Sequence, residues 1–272
     1  MDKVIVVVGP TGVGKTKMGV ALAKYFNGEV ISGDSMQIYK TMDIGTAKVT
    51  KQEMDGVVHH LIDIKNPDES YSVKDFQDEV RKKIKEITMR NKLPIIVGGT
   101  GLYIKAALYD YQFSDSQIEH QEYVKKYQDY TNEQLYQYLL EIDELSAKEL
   151  HPNNRQRVLR AIAIYESTGV KKSETLAKQK HEMIYDAKFI GLTLDRELLY
   201  QRINERVDLM MEQGLLKEIE SLMEKNYSSD LQSMKAIGYK EWFAYYDKKQ
   251  TLQETIELIK KHSRNYAKRQ YT

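Results

Sequence analysis

The sequence predicts an α/β fold in which a parallel sheet is flanked by helices. Short apolar runs typical of buried strands lie at 4–8, 29–32 and 93–97, and helical patterns separate them. Strands that alternate with helices in this way are usually parallel and joined by crossover helices. We therefore expect these runs to share one sheet, and a further run at 188–194 to add a late strand.

The first strand leads into a glycine-rich turn that fits the phosphate-binding pattern Gly-x-x-x-x-Gly-Lys-Ser/Thr. Its glycines let consecutive backbone N–H groups point inward, and the next helix directs its positive end at the same place. The turn therefore predicts a polyphosphate site in a P-loop NTPase-like fold, and a turn without a ligand is the alternative. The predicted phosphate-binding residues are Gly9, Pro10, Thr11, Gly12, Val13, Gly14, Lys15 and Thr16.

Capping pairs mark the start of two predicted helices. Ser72 and Asp75 precede apolar residues that recur at helical spacing. Thr131 and Gln134 open a second helix at 133–142. Both helices should therefore begin at these polar pairs.

The late strand is followed by apolar residues at helical spacing from 198 to 210, and Gly214 is placed to end or bend that helix. Arg202 and Arg206 lie four residues apart on this helix. Either can reach the phosphate site, and an exposed helix charge is the equal alternative. We take Arg206 as the candidate phosphate ligand.

The β pattern disappears between Tyr111 and about Ala187. We predict a helical insertion domain at 111–187 and a P-loop core formed by 1–110 and 188–272. A basic cluster interleaved with tyrosines lies in the insertion. Its members are Arg155, Arg157, Arg160, Lys171, Lys172, Lys178 and Lys180. Charge patterning alone allows a solvated helix face, but a place beside a phosphate site favours a grip on a polyanionic substrate.

Composition limits the possible classes of protein. The chain has 272 residues and no cysteine, which excludes disulfides and thiolate metal sites. Its net charge of +1 means that a nucleic-acid partner must be met by a local basic patch. No apolar run approaches the ~20 residues needed to cross a bilayer, and no signal-peptide pattern opens the chain. We therefore expect a soluble, cytoplasmic monomer without membrane contact.

Polar residues follow two predicted strands at the edge where open parallel sheets bind ligands. Asp34 follows the second strand and should face the phosphate turn, although a helix N-cap is the alternative. Thr100 follows the strand at 93–97 in a glycine-rich turn. The acidic residue that usually follows this strand in phosphate-loop hydrolases is missing. The pattern therefore does not fit an ordinary hydrolase or motor.

Adjacent histidines, His59 and His60, suggest a metal site at first sight. Neighbouring residues of an extended strand point to opposite sides, and no acidic or cysteine companions stand at ligand spacing. We therefore interpret both as structural.

Eight short motifs, in order along essentially the whole chain, resemble those of the tRNA dimethylallyltransferase family. They are Gly9-Pro10-Thr11-x-x-Gly14-Lys15-Thr16, Asp34-Ser35-Met36-Gln37-Ile38-Tyr39, Asp43-Ile44-Gly45-Thr46-Ala47-Lys48, His59-His60-Leu61-Ile62-Asp63, Gly98-Gly99-Thr100-Gly101-Leu102-Tyr103, Asn153-Asn154-Arg155-Gln156-Arg157-Val158-x-Arg160-Ala161, Gly238-Tyr239-Lys240-Glu241 and Ala267-Lys268-Arg269-Gln270. Proteins of this family transfer a dimethylallyl group from dimethylallyl diphosphate to the exocyclic N6 amine of the adenosine immediately 3′ of certain anticodons. The resemblance implies this activity, with tRNA and dimethylallyl diphosphate as substrates and Mg²⁺ as cofactor.

That reaction needs a cradle for the departing diphosphate and a base for the acceptor amine. Inward-pointing amides, Lys15 and a magnesium ion held partly by Thr16 meet the first need. Asp34 is the best candidate for the base, and the resemblance implies the same role. Asp34 is also a candidate magnesium ligand, beside Thr16. Thr100 would align the diphosphate with the acceptor amine.

An adenine stacked in an anticodon loop must be flipped out to reach that base. Gln37 and Ser35 are suited to reading the edge of the flipped ring, and the segment 156–160 matches tRNA contacts of the family. The candidate tRNA-binding residues are Asp34, Ser35, Met36, Gln37, Thr100, Gln156, Arg157, Val158, Leu159 and Arg160. Tyr39 is either a stacking partner for the base or a core residue.

Two other functions remain compatible with the sequence. A phosphate-loop kinase for a small molecule or nucleotide would hold ATP with Lys15 and Thr16 and use the insertion as a lid. A nucleotide-gated RNA-binding switch would use Asp34 only to hold magnesium. The kinase would consume ATP, whereas the switch would bind RNA without chemistry.

Overall fold

A computed structural model describes residues 1–113 and 120–271 of the protein, so residues 114–119 of the predicted insertion lie outside the described residues. The chain forms two compact units. The core unit comprises Met1–Tyr109 and Met183–Thr272, and the inserted unit comprises Asp110–Glu182.

The core unit is built on one parallel sheet. Its strands are β1 (Lys3–Val8), β2 (Gly28–Ser32), β3 (His59–His60), β4 (Leu93–Gly98) and β5 (Asp186–Gly191). They lie in the order β3-β2-β4-β1-β5, and every neighbouring pair is parallel. The predicted α/β fold with a parallel sheet is therefore confirmed.

Helices flank the sheet and form the inserted unit. They are α1 (Lys15–Tyr25), α2 (Lys51–Met54), α3 (Val73–Met89), α4 (Gly101–Leu108), α5 (His120–Lys126), α6 (Asn132–Ile142), α7 (Glu144–Lys148), α8 (Arg155–Thr168), α9 (Lys172–Ala177), α10 (Arg196–Glu212), α11 (Leu215–Glu224), α12 (Trp242–Tyr246) and α13 (Leu252–Gln270). A short 3₁₀ helix lies at Ser233–Lys235. Among the described helices none is both long enough and apolar enough to cross a bilayer.

Both predicted capping pairs are present. Ser72 accepts from the backbone N–H of Asp75, whose side chain accepts in return, at the start of α3. Thr131 and Gln134 make the same reciprocal pair at the start of α6. Gly214 adopts a left-handed conformation between α10 and α11, where the sequence predicted a helix end.

Strand β5 differs from its predicted position. It begins at Asp186, two residues before the apolar run at 188–194, and ends earlier than that run. The strand lies at the edge of the sheet and its residues are largely exposed, so charged residues are tolerated along it. The inserted unit ends at Glu182, five residues before the end of the insertion that the sequence predicted at 111–187.

The core of the first unit lies between the sheet and its helices. Central strands contribute fully buried aliphatic residues such as Val6 and Ile96. Large rings fill the space beneath the loops, among them Tyr39 and Trp242, both fully buried. From the sequence, Tyr39 could be either a stacking partner for the base or a core residue. Its side chain is completely buried in the main apolar cluster, so it is a core residue.

A buried carboxylate ties β2 to the edge of the sheet. Only 4% of the Glu29 side chain is exposed, and its oxygens lie 2.6 Å from His60 Nε2, 2.6 Å from Arg90 Nη2 and 2.9 Å from Lys92 Nζ. Burial alone would raise the pKa of Glu29, but hydrogen bonds from Arg90, His60 and Lys92 outweigh it and lower the pKa to about 2.

We expect Glu29→Gln to lower the free energy of unfolding at neutral pH by about 2 kcal/mol, because a buried carboxylate loses its charge-assisted hydrogen bonds. A lowered pKa stabilises the fold above the ordinary value of 4.5, and this contribution is lost as the pH falls towards 2. Urea unfolding of both proteins should therefore give curves that converge at acidic pH.

The matched control is Glu144→Gln, which removes an exposed carboxylate that pairs with Lys148 on the same helix. This change should leave stability nearly unaltered because exposed pairs are screened by solvent. An equal loss in both variants would contradict a special contribution from Glu29.

Candidate active site

The phosphate loop runs from the end of β1 to the start of α1. Gly9 has φ +152°, and a Cβ there would lie 2.6 Å from the carbonyl oxygen of Leu192, so only glycine fits. Gly14 precedes the helix in a left-handed conformation. Lys15 Nζ donates to the carbonyl of Pro10 at 2.8 Å, which folds the lysine back over the loop.

Two half-buried cations face the loop. Arg206 Nη1, from α10, lies 3.3 Å from Thr11 Oγ1. Burial lowers the pKa of Lys15 to about 8, with Asp34 opposing this shift and Arg206 adding to it. Burial also lowers the pKa of Arg206. Two positively charged side chains are therefore held close together where they are partly removed from water. A bound anion would offset the free energy lost when these charges are desolvated.

A cleft of about 680 Å³, which we call the phosphate-loop cleft, opens above these groups. Thr11, Gly12, Gly14, Lys15, Thr16, Asp34, Gln37, His59 and Arg206 are among its lining residues. Three of the predicted phosphate-binding residues, Gly9, Pro10 and Val13, are not among the lining residues of this cleft. Val13 is buried in an apolar cluster, and Pro10 has no N–H to donate, so its carbonyl serves Lys15 instead.

Asp34 lies beside the phosphate loop, just beyond β2. Its Oδ1 accepts from the backbone N–H of Met36 at 2.8 Å, and its own N–H reaches Ser32 Oγ at 3.4 Å. The described structure places a turn rather than a helix after Asp34, so the N-cap alternative is wrong. The carboxylate is held locally and faces the cleft.

A second cleft of about 320 Å³, which we call the Tyr266 cleft, meets the first. It is lined by Ser35, Met36, Lys235, Lys240, Tyr266 and Arg269. Six residues line both clefts: Thr11, Asp34, Thr46, Ala47, Arg206 and Met210. Asp34 is the only carboxylate in that shared set of lining residues, so it stands where the contents of the two clefts would meet.

The last helix joins the phosphate loop to the turn after β4. Gln270 Oε1 accepts from the N–H of Thr11 at 2.8 Å, and Gln270 Nε2 donates to the carbonyl of Gly99 at 3.1 Å. The Tyr266 side chain lies close to the side chains of Thr100 and Gln270. Thr100 directly precedes α4 and is not among the lining residues of either cleft, but its neighbour Tyr266 lines the second.

Sequence reasoning gave Tyr266 and Gln270 no role. The Ala267-Lys268-Arg269-Gln270 motif contained the only signal, because 259 positions separate Gln270 from Thr11 and no local pattern connects them.

Arg206 is placed at the site and Arg202 is not, although the sequence could not separate them. Arg202 is exposed, whereas the half-buried Arg206 reaches the phosphate loop.

The basic helix α8 belongs to the inserted unit and divides into two kinds of residue. Gln156, Arg157 and Arg160 are exposed. Val158 and Leu159 are 0% and 2% exposed and pack in the core of that unit, so the prediction that these two side chains bind tRNA is corrected.

Arg155, which belongs to the basic cluster of the insertion, stabilises the inserted unit. Its guanidinium donates to the carbonyls of Tyr127 and Tyr130 at 2.5 and 2.6 Å, which joins α8 to the segment after α5.

A comparison of the sequence with protein-family profiles decides the family. The profile described as IPP transferase matches residues 37–272. The chain belongs to the IPP transferase family.

Individual relatives and solved structures agree with this assignment. The tRNA dimethylallyltransferase of Bacillus cereus is 55% identical across 100% of this chain and 86% of its own length. A tRNA isopentenylpyrophosphate transferase structure from Staphylococcus epidermidis is 48% identical, with TM-score 0.72, covering 100% of this chain and 89% of that one. A eukaryotic dimethylallyltransferase acting on tRNA is 36% identical, with TM-score 0.87, covering 99% and 69%. The kinase alternative is not favoured.

Metal binding in this IPP transferase family member would depend on few protein ligands. Within residues 1–113 and 120–271 there is no group of three or more histidine, aspartate or glutamate side chains that could hold an ion. Thr16 and Asp34 both line the phosphate-loop cleft and offer hard oxygen atoms. Such a pair fits Mg²⁺, which usually keeps several waters and takes further oxygens from bound phosphates.

The two adjacent histidines have separate surroundings. His60 pairs with Glu29, while His59 Nδ1 lies 2.9 Å from the carbonyl of Val57 and its ring lines the phosphate-loop cleft. Burial lowers the pKa of His59, so its neutral form is favoured.

We expect Arg206→Met to weaken the binding of inorganic pyrophosphate about 10- to 100-fold, because a charge-assisted hydrogen bond to the anion is lost. Arg202→Met, four residues earlier on α10, removes the same charge from an exposed position and should change Kd less than about twofold. Titration calorimetry at fixed ionic strength measures both. Equal losses would mean that general surface charge attracts the anion.

Proposed function

We propose that this protein transfers the dimethylallyl group of dimethylallyl diphosphate to the exocyclic N6 amine of the adenosine that is 3′-adjacent to the anticodon of tRNA. The position of Asp34 carries the proposal. This carboxylate lines both the phosphate-loop cleft and the Tyr266 cleft, so one group borders a diphosphate-binding space and a second space large enough for a purine.

The donor diphosphate would occupy the phosphate-loop cleft. Breaking the allylic C–O bond leaves the electron pair on the departing diphosphate, whose negative charge grows in the transition state. Lys15, Arg206 and the residues of the phosphate loop line this cleft, and donors held there would stabilise that charge. No phosphoryl group moves, which agrees with the missing acidic residue after β4.

The acceptor adenine would enter the Tyr266 cleft after flipping out of the anticodon loop. Its amine is a poor nucleophile because the nitrogen lone pair is delocalised into the ring. As the N6–C bond forms, Asp34 would take the amine proton, and this kind of base contributes roughly 10²- to 10⁴-fold. Thr100, which lies beside Tyr266, would align the amine with the allylic carbon.

Magnesium is proposed as the cofactor, with Thr16 and Asp34 as its candidate protein ligands. A bound Mg²⁺ would neutralise charge on the diphosphate. A carboxylate bound to a cation is a weaker base, so the two roles of Asp34 compete. We favour the base, because Asp34 also borders the acceptor space.

The inserted unit is proposed to hold the body of the tRNA. Arg157 and Arg160 lie three residues apart and are exposed on α8, where guanidinium groups can contact phosphates or stack on bases. Gln156 is exposed beside them. We therefore propose these three side chains as the tRNA contacts of α8, in place of the whole segment 156–160 that the sequence predicted.

Mass analysis of tRNA after incubation with the protein, magnesium and dimethylallyl diphosphate tests the function. We expect a gain of one prenyl unit on one adenosine. In the same assay Asp34→Asn should keep tRNA and diphosphate binding but lose about 10²- to 10⁴-fold in single-turnover rate, because the base is removed with little change of shape.

Three outcomes would contradict the proposal. A wild-type rate in the asparagine variant would remove Asp34 as the base. Consumption of ATP in place of prenyl transfer would indicate a kinase. Tight tRNA binding without any mass gain would indicate a binding switch.

We expect the double change Arg157→Ala and Arg160→Ala to weaken tRNA affinity and to reduce the slope of log affinity against log salt by about 2, because two phosphate contacts are lost. Pyrophosphate binding should not change and serves as the internal control. A parallel fall in both affinities would assign α8 to the diphosphate site instead.

A further inference from the structure

One turn of the core unit forms a wall of both clefts. The segment 43–47, which we call the shared turn, lies outside the helices and strands. Thr46 and Ala47 line both clefts, and Gly45 lines the Tyr266 cleft. The position of this turn therefore affects the shape of the space where the two substrates of the proposed reaction would meet.

A single carboxylate from α11 holds the shared turn. Glu218 Oε2 accepts from the N–H groups of Asp43 and Ile44, both at 2.8 Å. Glu218 Oε1 accepts from the N–H of Gly45 at 3.1 Å and from the hydroxyl of Tyr239 at 2.6 Å. Three consecutive amides converge on one anion, an arrangement in which hydrogen bonds are charge-assisted and strong.

Tyr239 packs closely against Gly45 of the shared turn. Its side chain is fully buried, and a Cβ on Gly45 would lie 2.6 Å from its ring, so only glycine allows this contact. Burial first, and then the charge of Glu218, raise the pKa of Tyr239 well above its usual value. The hydroxyl therefore stays protonated and remains a donor to Glu218.

The shared turn also contacts Gln37, a lining residue of the phosphate-loop cleft. Gln37 Nε2 lies 3.4 Å from the carbonyl of Thr46 and 3.3 Å from that of Ala47, and its Oε1 accepts from Ser32 Oγ at 3.2 Å. The amide of Gln37 is thus oriented by the backbone that Glu218 holds. The Asp43-Ile44-Gly45-Thr46-Ala47-Lys48 and Gly238-Tyr239-Lys240-Glu241 motifs meet here.

We infer that Glu218 is a positioning residue for the acceptor nucleotide: by holding the shared turn against Tyr239, it sets the wall that Gly45, Thr46 and Ala47 contribute to the Tyr266 cleft. This inference rests on the proposed function. The phosphate loop has its own supports in Lys15 and Gln270, so the effect of Glu218 should fall on the RNA substrate and spare the diphosphate.

Glu218→Gln is the sharpest test, because the new amide group points an N–H₂ at backbone N–H donors that need an acceptor. We expect kcat/KM for tRNA to fall about 10- to 100-fold, while Kd for pyrophosphate changes less than about twofold. Glu224→Gln, at an exposed position of α11, is the matched control and should behave as wild type.

A double-mutant cycle of Glu218→Gln with Tyr239→Phe tests whether the two side chains act on the shared turn together. If Glu218 and Tyr239 hold the turn together, the double variant should be barely slower than Glu218→Gln alone, because both changes weaken the same interaction. Multiplicative losses would overturn the inference. So would a fall in apparent kcat with an unchanged KM for tRNA, since a merely destabilised protein has fewer active molecules of normal affinity.

Tyr239→Phe provides a second, milder variant if Glu218→Gln does not fold. It removes one hydrogen bond to Glu218 and leaves the three amides in place. A smaller loss confined to tRNA use is expected, and wild-type kinetics would overturn the inference. Prenyl transfer by the wild-type protein is measured alongside, so a failed function is distinguished from a failed role of Glu218.

Discussion

The site depends on positive charge held in a half-buried place beside the phosphate loop. Lys15 comes from α1 and Arg206 from α10, and burial lowers the pKa of both. Groups in such a setting bind an anion more strongly than exposed lysines or arginines do, because less water has to be displaced and the local dielectric constant is lower. The Asp34 carboxylate partly balances this positive charge, and it lines both the phosphate-loop cleft and the Tyr266 cleft.

Distant segments maintain this arrangement. Gln270 ties the phosphate loop to the turn after β4, and Glu218 ties the shared turn to α11. Both side chains satisfy backbone groups of irregular segments, which would otherwise lack partners inside the protein. The clefts are thus shaped by hydrogen bonds between loops as much as by the sheet that carries them.

Local patterns predicted much of the fold, and their failures have physical causes. Capping pairs at Ser72 and Thr131 were readable because a cap satisfies amides within three residues of itself. The predicted range of β5 was displaced from the observed one because an exposed edge strand needs no continuous apolar run. Val158 and Leu159 were grouped with the basic residues of α8, although the helical repeat turns them towards the core of the inserted unit.

The sequence by itself determined the parallel sheet, the phosphate loop and the carboxylate at Asp34, because each follows from residues that are neighbours in the chain. Tertiary structure alone decided that Arg206 and not Arg202 reaches the loop, and that Gln270, Tyr266 and Glu218 support the site. Contacts across a hundred or more positions leave no periodic trace in a single sequence. They arise only when packed helices bring their side chains to the same edge of the sheet.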